Sequence, residues 1–472
     1  MFLLGIITPI ISSLRYTIRS MVGNRKNKEY TLGTIGKIYI AILLVIFGGI
    51  VLHAPIIVGL GTLWPNFDLL IKSWKEILML IAGLVAIFLL YKTKQMQLLR
   101  DPIIIVISFY AVLHLMLLMF MTQSLTSVGA GLAIDLRYVF FFGLVYIAMR
   151  LYPNYRKLFI RVGIIGALVV LLFALLQVFV LPHDVLKYIG YNTNTISPYL
   201  TIDLNQDFIR INSTFRGPNP LGAYAGLVLI LIVAAIAKCK IKREKWLIVI
   251  TVILSIGGIV TLWASYSRSA MIGTIIAVII VLAVTSFRKL STKMWITSGL
   301  VLIALIGGFF AARNTSFVSN VILHENPNGG SSVTSNEDHI NSIRHGMSKL
   351  ISQPLGAGIG STGSASLYGD NPIIIENQYL FIAHEVGWLG LLMFIYICTL
   401  ILIKLWGLRK DWLALGVFAS GIGLAFIGLL LPIWVDDTIS IIWWGPAAIV
   451  VGSRWYIVDG RGKQHDNHRT IE

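Results

Sequence analysis

The sequence is poor in cysteine and in charged residues, and both shortages narrow the class of protein. Its 472 residues include only two cysteines, Cys239 and Cys398, so we expect no disulfide framework. Charged residues make up 12% of the chain, against 57% hydrophobic residues. The mean hydropathy of +0.82 lies outside the range of soluble globular domains. The sequence therefore predicts an integral membrane protein.

Uncharged apolar runs of bilayer-spanning length recur along the whole chain. The gaps between most of these runs are too short to hold a soluble domain, so we expect one all-α membrane domain over residues 1–472. The predicted fold is polytopic, with about twelve transmembrane helices. We place the spans at 38–62, 75–91, 102–121, 130–149, 160–181, 218–237, 246–264, 269–286, 294–312, 378–403, 412–431 and 438–452.

Acidic residues are also scarce, because 21 stand against 38 lysines and arginines and leave a formal net charge of +17. The basic residues form no stripe with interleaved aromatic residues, so no nucleic-acid partner is expected. They cluster in alternate loops, which predicts that these loops and both termini are cytoplasmic. Two long loops on the other side, 182–217 and 313–377, are expected to be extracytoplasmic and to carry the function. The basic clusters lie at 15–28, 92–100, 150–161, 238–245, 288–293, 404–410 and 454–463.

The second long loop is predicted to contain an amphipathic helix near 336–352. Ile340, Ile343 and Met347 recur at helical spacing, Ser335 can cap the start, and Pro354 marks the end. Such a helix can lie on the outer membrane face. The alternative is a helix that packs over the ends of the spans and has no role in ligand binding.

Two arginines at span ends need an explanation, because an arginine at a membrane boundary is costly unless it is paired. Arg216 lies in "NSTFRGPNPLGAY" and Arg268 in "WASYSRSAMIG". Each could extend its side chain to lipid headgroups. Two arginines on one face, both among small polar residues, instead favour a diphosphate site, since guanidinium suits phosphate and stays charged.

Ionisable residues near the same face form a second set of candidates. Glu376 precedes the span that begins at 378, where a carboxylate beside cations can act as a general base. A salt bridge, or an acid that stabilises a helix N-terminus, is the alternative. Glu385 lies within that span and is a candidate structural partner for an arginine. Asp135 and Arg137 are two residues apart on a predicted helix and cannot face each other, so we expect separate, mainly structural partners for them.

The sequence predicts no metal and no cofactor. The glycine-rich "GAGIGSTGS" at 356–364 is not followed by GK[ST], so we interpret it as a turn and not as a nucleotide-binding loop. The histidines of this part of the chain lack the compact spacing of metal ligands. They are His324, His339, His345 and His384.

The order of four motifs resembles the O-antigen ligase and O-antigen polymerase superfamily. "FRGPNPLGAY" is followed by "SYSRSA", then by "QPLGAGIGS", then by "ENQYLFIAHEVGWLGL". The order, spacing and common outer face of these motifs carry the resemblance. By motif it covers roughly the C-terminal two thirds of the chain, and by topology the whole chain.

This resemblance implies a GT-C-like, metal-independent glycosyltransferase in the bacterial cytoplasmic membrane. Its donor would be a glycan linked to undecaprenyl diphosphate, its acceptor a glycan or another hydroxyl, and its partners a chain-length regulator or a flippase. Arg216 and Arg268 match the two arginines of the family and would stabilise the charge of the leaving diphosphate. The expected substrate-binding set is completed by Asn219, Ser267, Asn377, Arg210 and His345.

The chain departs from the family pattern at Glu376. Ligases of the superfamily usually have histidine followed by asparagine where this chain has Glu376 and Asn377. A glutamate can still accept the proton of an attacking hydroxyl, so Glu376 is the candidate base. The departure favours a cell-envelope polysaccharide polymerase, with a ligase or protein O-glycosyltransferase as the near alternative. A transporter or flippase of lipid-linked sugars and a non-catalytic scaffold are the alternatives from other classes, although transporters favour midplane sites and internal repeats.

Overall fold

The computed structural model describes residues 33–120, 123–238, 245–286, 315, 318–323 and 335–453. Helices dominate these residues, which confirms the predicted all-α class. The α-helices are α1 Thr34–Gly49, α2 His53–Leu63, α3 Asp68–Lys72, α4 Trp74–Lys92, α5 Pro102–Leu117, α6 Leu125–Leu151, α7 Arg156–Phe179, α8 Pro218–Lys238, α9 Lys245–Ala264, α10 Arg268–Ser286, α11 Ser335–Ser352, α12 Gly363–Ser366, α13 Gln378–Gly407, α14 Trp412–Ile427 and α15 Asp437–Ser453. Turns of 3₁₀-helix lie at Ile50–Leu52, Pro65–Phe67, Met96–Arg100, Leu118–Phe120, Pro153–Tyr155, Val185–Ile189 and Ile433–Val435, and a π-helix lies at Val318–Leu323.

Eight helical segments of the described residues are long and apolar enough to cross a membrane. The first of them is continuous from Thr34 to Leu63, through α1, a 3₁₀ turn and α2. Two shorter apolar helices, α5 and α14, add to them. These helices confirm the polytopic membrane fold. Each predicted span falls on an observed helix except 294–312, which lies outside the described residues.

Close contacts between small residues give the directions of the central helices. α8 and α10 run parallel, because Gly222 packs against Ala270 and Gly226, one turn later, packs against Thr274. Their N-terminal ends therefore lie together at one end of the bundle. We call this end, which carries Arg216 and Arg268, the site face.

Further helix ends belong to the site face. The N–H of Gln378, which begins α13, donates to the carbonyl of Gly428, just beyond α14, at 2.8 Å. The start of α15 lies there as well, since Asp437 contacts Arg216. At the opposite face, by contrast, Arg156 at the start of α7 pairs with Asp411 before α14, at 2.6 Å.

The pair of helices α6 and α15 forms the centre of the bundle. Trp443 and Trp444 of α15 are 2% and 0% exposed. The ring of Trp444 lies 4.9 Å from that of Tyr138 and 6.0 Å from that of Phe142, both on α6. Because aromatic contacts of this kind are rigid and bury much apolar surface, they fix the register of α6 against α15. That register also decides which polar side chains of the two helices meet.

The first long loop contains a β-hairpin, which the all-α prediction did not include. Strand β1, Tyr199–Ile202, pairs antiparallel with β2, Asn205–Ile211. Asp203 and Leu204 form the turn with φ angles of 47° and 62°. A two-residue hairpin turn with positive φ at both positions usually carries Asn-Gly or Asp-Gly, because residues other than glycine, asparagine and aspartate rarely adopt positive φ. Because leucine is unusual in such a turn, the sequence pattern did not predict the hairpin.

Helix α11 packs across the start of α13. A Cβ at Gly346 would lie 3.0 Å from Leu380 and 3.3 Å from Ile375, so α11 and α13 are in direct contact. The indole N–H of Trp388 donates to the carbonyl of Leu350 at 2.8 Å. The helix predicted near 336–352 is thus observed over the span end. A role of this helix in ligand binding stays a prediction.

Candidate functional site

The segment before α8 holds Arg216 at the site face. The N–H of Ser213 donates to Oε1 of Gln177 and its hydroxyl to the carbonyl of Val170, both at 2.9 Å, which ties the segment to α7. Phe215 is fully buried against Tyr224 of α8, with ring centroids 5.1 Å apart. Ser213 and Phe215, which precede Arg216, are therefore anchored, while the arginine side chain itself is 47% exposed. It is a cation on a rigid support that a ligand can reach.

A network of ionisable side chains lies around Asp437 and contacts Arg216. Nη1 of Arg216 is 3.4 Å from Oδ2 of Asp437, and Nε2 of His53 is 3.3 Å from the same oxygen. The other oxygen, Oδ1, forms ion pairs with Nζ of Lys75, at 3.1 Å, and with Nη1 of Arg137. Each carboxylate oxygen thus faces two basic groups. We call the set His53, Lys75, Glu76, Arg137, Arg216 and Asp437 the Asp437 network.

The side chain of Trp74 determines how His53 takes part in this network. The indole N–H of Trp74 donates to Nδ1 of His53 at 3.0 Å. An indole nitrogen can only donate, so Nδ1 must be the acceptor and Nε2 carries the hydrogen in the neutral ring. Nε2 lies between Oδ2 of Asp437, at 3.3 Å, and Nζ of Lys75, at 3.4 Å. Trp74 therefore fixes the orientation of the imidazole ring within the network.

The network combines basic and acidic groups. Lys75, Arg137 and Arg216 supply three basic groups, while Glu76, Asp437 and the neighbouring Asp436 supply three carboxyl groups. Asp436 also caps α15, and burial raises the pKa of its carboxyl group. A cation that stays accessible beside such a network can attract an anion. Arg216 is the most exposed cation of the set and would meet that anion first.

A second basic group lies at the start of α10. Arg210 of β2 donates from Nε to the carbonyl of Ser265 at 2.9 Å and from Nη2 to Oδ1 of Asn219 at 2.6 Å. Burial, followed by the charge of Arg268, lowers the pKa of Arg210 to about 10, while Asp203 acts in the other direction. Arg210, Arg268 and Asp203 are therefore electrostatic neighbours. The hairpin thus places Arg210 next to Asn219 of α8 and near Arg268, the arginine predicted at the "SR" motif.

Small residues hold the two basic groups on adjacent helix ends. Tyr266, in the turn before α10, has a φ of 46°, and the N–H of Ser267 donates to Oγ of Ser265 at 3.2 Å. A Cβ at Gly222 would lie 2.6 Å from Oγ of Ser265 and 3.0 Å from Cβ of Ser267. Only a residue without a side chain lets the first turn of α8 come this close. The sequence thus sets the spacing of α8 and α10 beneath Arg216 and Arg268.

The remaining predicted site residues lie where α11 meets α13. Glu376 is half-buried, and its backbone N–H donates to Oγ of Ser342 on α11 at 2.7 Å. Asn377 caps α13, because its Oδ1 accepts from the N–H groups of Tyr379 and Leu380 at 3.0 Å while its Nδ2 donates to Leu429. The side chain of Asn377 therefore has a structural role. His345 is exposed on α11. The substrate-binding roles of these residues stay predictions.

Most of the Asp437 network is not among the residues predicted from the sequence. His53, Lys75, Glu76 and Asp437 are absent from the predicted site. A usable signal existed, because an ionisable residue inside or beside an apolar span is costly and rare unless it has a partner. Arg137 was expected to have separate partners from Asp135, and it does: Arg137 pairs with Asp437 and Glu76, whereas Asp135 pairs with His114. Among the described residues, no three histidine, cysteine or carboxylate side chains lie close enough together to hold a metal ion.

Comparison with protein families gives one match at this site. Residues 253–395 match a family model described as O-antigen ligase. The matched range includes Arg268, α11 and Glu376, while Arg216 precedes it. A comparison with curated proteins found no match.

Proposed function

We propose that the chain is a cell-envelope polysaccharide polymerase, and the match of residues 253–395 to the O-antigen ligase family model supports this proposal. The reaction is the transfer of a glycan from polyprenyl diphosphate to a sugar hydroxyl, without a metal ion, at the outer face of the bacterial cytoplasmic membrane. One observation carries the proposal: Arg216 is half-exposed, follows an anchored segment and contacts the Asp437 network, at the same face as Arg268.

The arginines would act on the leaving group. As the acceptor oxygen attacks the anomeric carbon, the bond from that carbon to the diphosphate breaks and negative charge moves to the diphosphate. A guanidinium group can form two parallel hydrogen bonds to phosphate oxygens. Each charge-assisted hydrogen bond contributes about 1.5–3 kcal/mol. Two arginines at fixed positions would therefore lower the barrier without a metal ion.

Glu376 would accept the proton of the acceptor hydroxyl. It is half-buried at the site face, in the segment that α11 holds in place through Ser342. A carboxylate at this position can take the proton as the new glycosidic bond forms. Glutamate in place of the histidine usual in ligases favours polymerase over ligase.

The test compares the envelope glycan and the lipid-linked intermediates, resolved by size, from cells with the wild-type protein, a deletion, Arg216→Ala and Glu376→Gln. A matched control is Lys187→Ala, which removes an exposed cation of the first long loop that pairs with Asp184. We expect single-unit glycan in the deletion and in both site variants, and normal polymer in the control.

Other outcomes would contradict the proposal in different ways. Full-length glycan that stays on the lipid carrier would identify a ligase. Lipid-linked units that remain on the cytoplasmic side would identify a flippase. A normal Arg216→Ala pattern beside a defective deletion would remove Arg216 from the reaction, and a normal Glu376→Gln pattern would remove Glu376 as the base.

A further inference from the structure

Three ionisable side chains are sealed between α5, α6 and α13. His114 and Glu385 are 0% exposed and Asp135 is 4% exposed. Nε2 of His114 lies 3.5 Å from Oδ2 of Asp135, and Glu385 is hydrogen-bonded to Asp135. The predicted partner of Glu385 is an arginine, but its neighbour in the structure is Asp135. We call His114, Asp135 and Glu385 the acid cluster.

The geometry of the acid cluster requires bound protons. Nδ1 of His114 is 2.8 Å from the carbonyl oxygen of Tyr110. A carbonyl only accepts, so Nδ1 carries a hydrogen, and Nε2 can contact Asp135 favourably only if a proton lies between them. The contact between Asp135 and Glu385 likewise needs a proton, because two ionised carboxylates only accept and repel each other. Two protons shared over these three groups leave the cluster with no net charge.

The surroundings of the cluster do not compensate a second negative charge. Oε1 of Glu385 accepts from the N–H of Thr362 at 3.3 Å, and Gly360 lies close to this carboxyl group. Among the described residues, Oε2 of Glu385 has no donor of its own. Arg137 acts on Asp135 but is engaged by the Asp437 network. The other titratable neighbours are Tyr110, Tyr138 and Cys398. An unpaired carboxylate buried in this way is costly, which favours a neutral acid.

Glu385 also holds the glycine-rich loop 354–363 in place. Gly360 has a φ of 77°, and a Cβ there would lie 2.3 Å from the carbonyl oxygen of Ser127, so the loop presses directly on α6. On the other side, Gly387 has a φ of 70° and lies against Pro354. The N–H of Thr362, which donates to Glu385, and that of Ala357, which donates to the carbonyl of His384 at 2.6 Å, link this loop to the helix behind it.

The loop is in turn bound to the segment that carries Glu376. The N–H of Gly363 donates to the carbonyl of Ile373 at 2.8 Å, and the hydroxyl of Thr362 donates to the same oxygen at 2.9 Å. Ile373 is three residues before Glu376. A change in the charge of Glu385 would therefore affect the Glu376 segment through the hydrogen bonds of the loop.

We propose that His114, Asp135 and Glu385 form a buried proton-binding site that keeps Glu385 as a neutral carboxylic acid and thereby fixes loop 354–363 and the segment leading to Glu376. The ligand of this site is the proton. The proposal does not depend on which glycan is transferred, or on whether the chain is a polymerase.

Infrared spectroscopy of the purified protein in lipid tests the site directly. A protonated carboxylic acid has a carbonyl band that is separate from those of carboxylates and that shifts in D2O. We expect this band in the wild-type protein at neutral pH, its loss or reduction in Glu385→Gln, and no change in Asp184→Asn, which removes an exposed carboxylate paired with Lys187. Identical bands in the wild type and Glu385→Gln would overturn the proposal.

Stability measured against pH separates a bound proton from simple packing. Ionisation at high pH would place a second negative charge beside Asp135, so we expect wild-type stability to fall as pH rises. Glutamine cannot ionise, and its amide can still accept from Thr362 and donate to Asp135, so Glu385→Gln should lose this part of the pH dependence. Glu385→Ala should be unstable at every pH, because the N–H of Thr362 loses its acceptor and the buried side chain leaves a cavity.

Comparison of Glu385→Gln with Glu385→Ala can refute the proposal even if one of the two variants folds poorly. Failure of Glu385→Gln to fold, or equal loss in Glu385→Gln and Glu385→Ala, would contradict a neutral acid at this position. Asp135→Asn provides a second check. Its amide can donate to Nε2 of His114 and accept from protonated Glu385, so the infrared band should persist in this variant. Loss of the band in Asp135→Asn would mean that Glu385 is not the group that holds the proton.

Discussion

Replacement of Asp437 by asparagine tests the Asp437 network in the most direct way. Asp437 is the common partner of Lys75 and Arg137, whose side chains are 4% and 2% exposed. The change keeps the size of the side chain but removes its charge. The asparagine also places an amide N–H donor next to Lys75 and Arg137, which are themselves donors. Both effects leave buried cations with weaker compensation.

The expected loss of stability follows from the partners that remain. Removal of one partner of a buried ion pair costs about 3–5 kcal/mol. Glu76 still offers Oε2 to Lys75 at 3.2 Å and Oε1 to Arg137 at 3.6 Å, so both cations keep one carboxylate. We therefore expect the lower end of the range, about 3 kcal/mol. That is roughly a hundredfold shift of the folding equilibrium, since every 1.4 kcal/mol is a factor of ten.

Equilibrium unfolding in mixed micelles with a rising fraction of denaturing detergent measures this loss. Tryptophan fluorescence is a suitable signal, because Trp443 and Trp444 are buried on the same helix as Asp437. The matched control is Asp184→Asn, which breaks an exposed ion pair with Lys187 and should change stability little. Equal stability of the two variants would refute the view that Asp437 compensates the buried cations.

Three further changes test the packing of the site. Gly222→Val should separate the first turns of α8 and α10 and reduce glycan transfer. The control Gly217→Ala should leave glycan transfer unchanged, because there is open space around the added carbon. Equal activity of the two variants would show that the spacing of α8 and α10 is unimportant. Gly360→Ala should lower stability by about 1–3 kcal/mol or more in the same unfolding assay, because its φ is 77° and the new carbon meets the backbone of Ser127; wild-type stability would contradict the packed loop. Arg210→Met should cost about 1–3 kcal/mol in that assay, because the carbonyl of Ser265 and the Asn219 side chain lose their donor, and an unchanged value would mean that water replaces it.

The positions of the helices could be predicted because they depend on local properties of the chain. An apolar run of sufficient length forms a helix in the bilayer wherever it occurs, since its backbone polar groups must be satisfied within the segment. Helices α6, α8 and α13 therefore lie on the predicted spans. The hairpin in the first long loop escaped prediction because Asp203 and Leu204 carry no recognisable turn signal.

The candidate site could be predicted only in part. The cost of a charge at a span end singled out Arg216 and Arg268 without knowledge of their neighbours. Asn377 was chosen for its place in a motif, and the structure shows that its side chain caps α13. The same motif gave Glu376, whose chemical role depends on a substrate and cannot be read from its backbone contacts with Ser342.

The sequence by itself determined the membrane class, the places of the spans and the two arginines of the site face, because hydrophobicity, span length and the cost of a charge act locally. Only the tertiary structure decided that His53, Lys75, Glu76 and Arg137 meet Asp437, and that Asp135 meets Glu385. His53 and Asp437 come from opposite ends of the chain, and their contact exists because α15 packs against α1 and against the 3₁₀ turn that leads to His53. The order of helices in a bundle is set by the fit of all their faces at once, and no single segment of sequence contains that information.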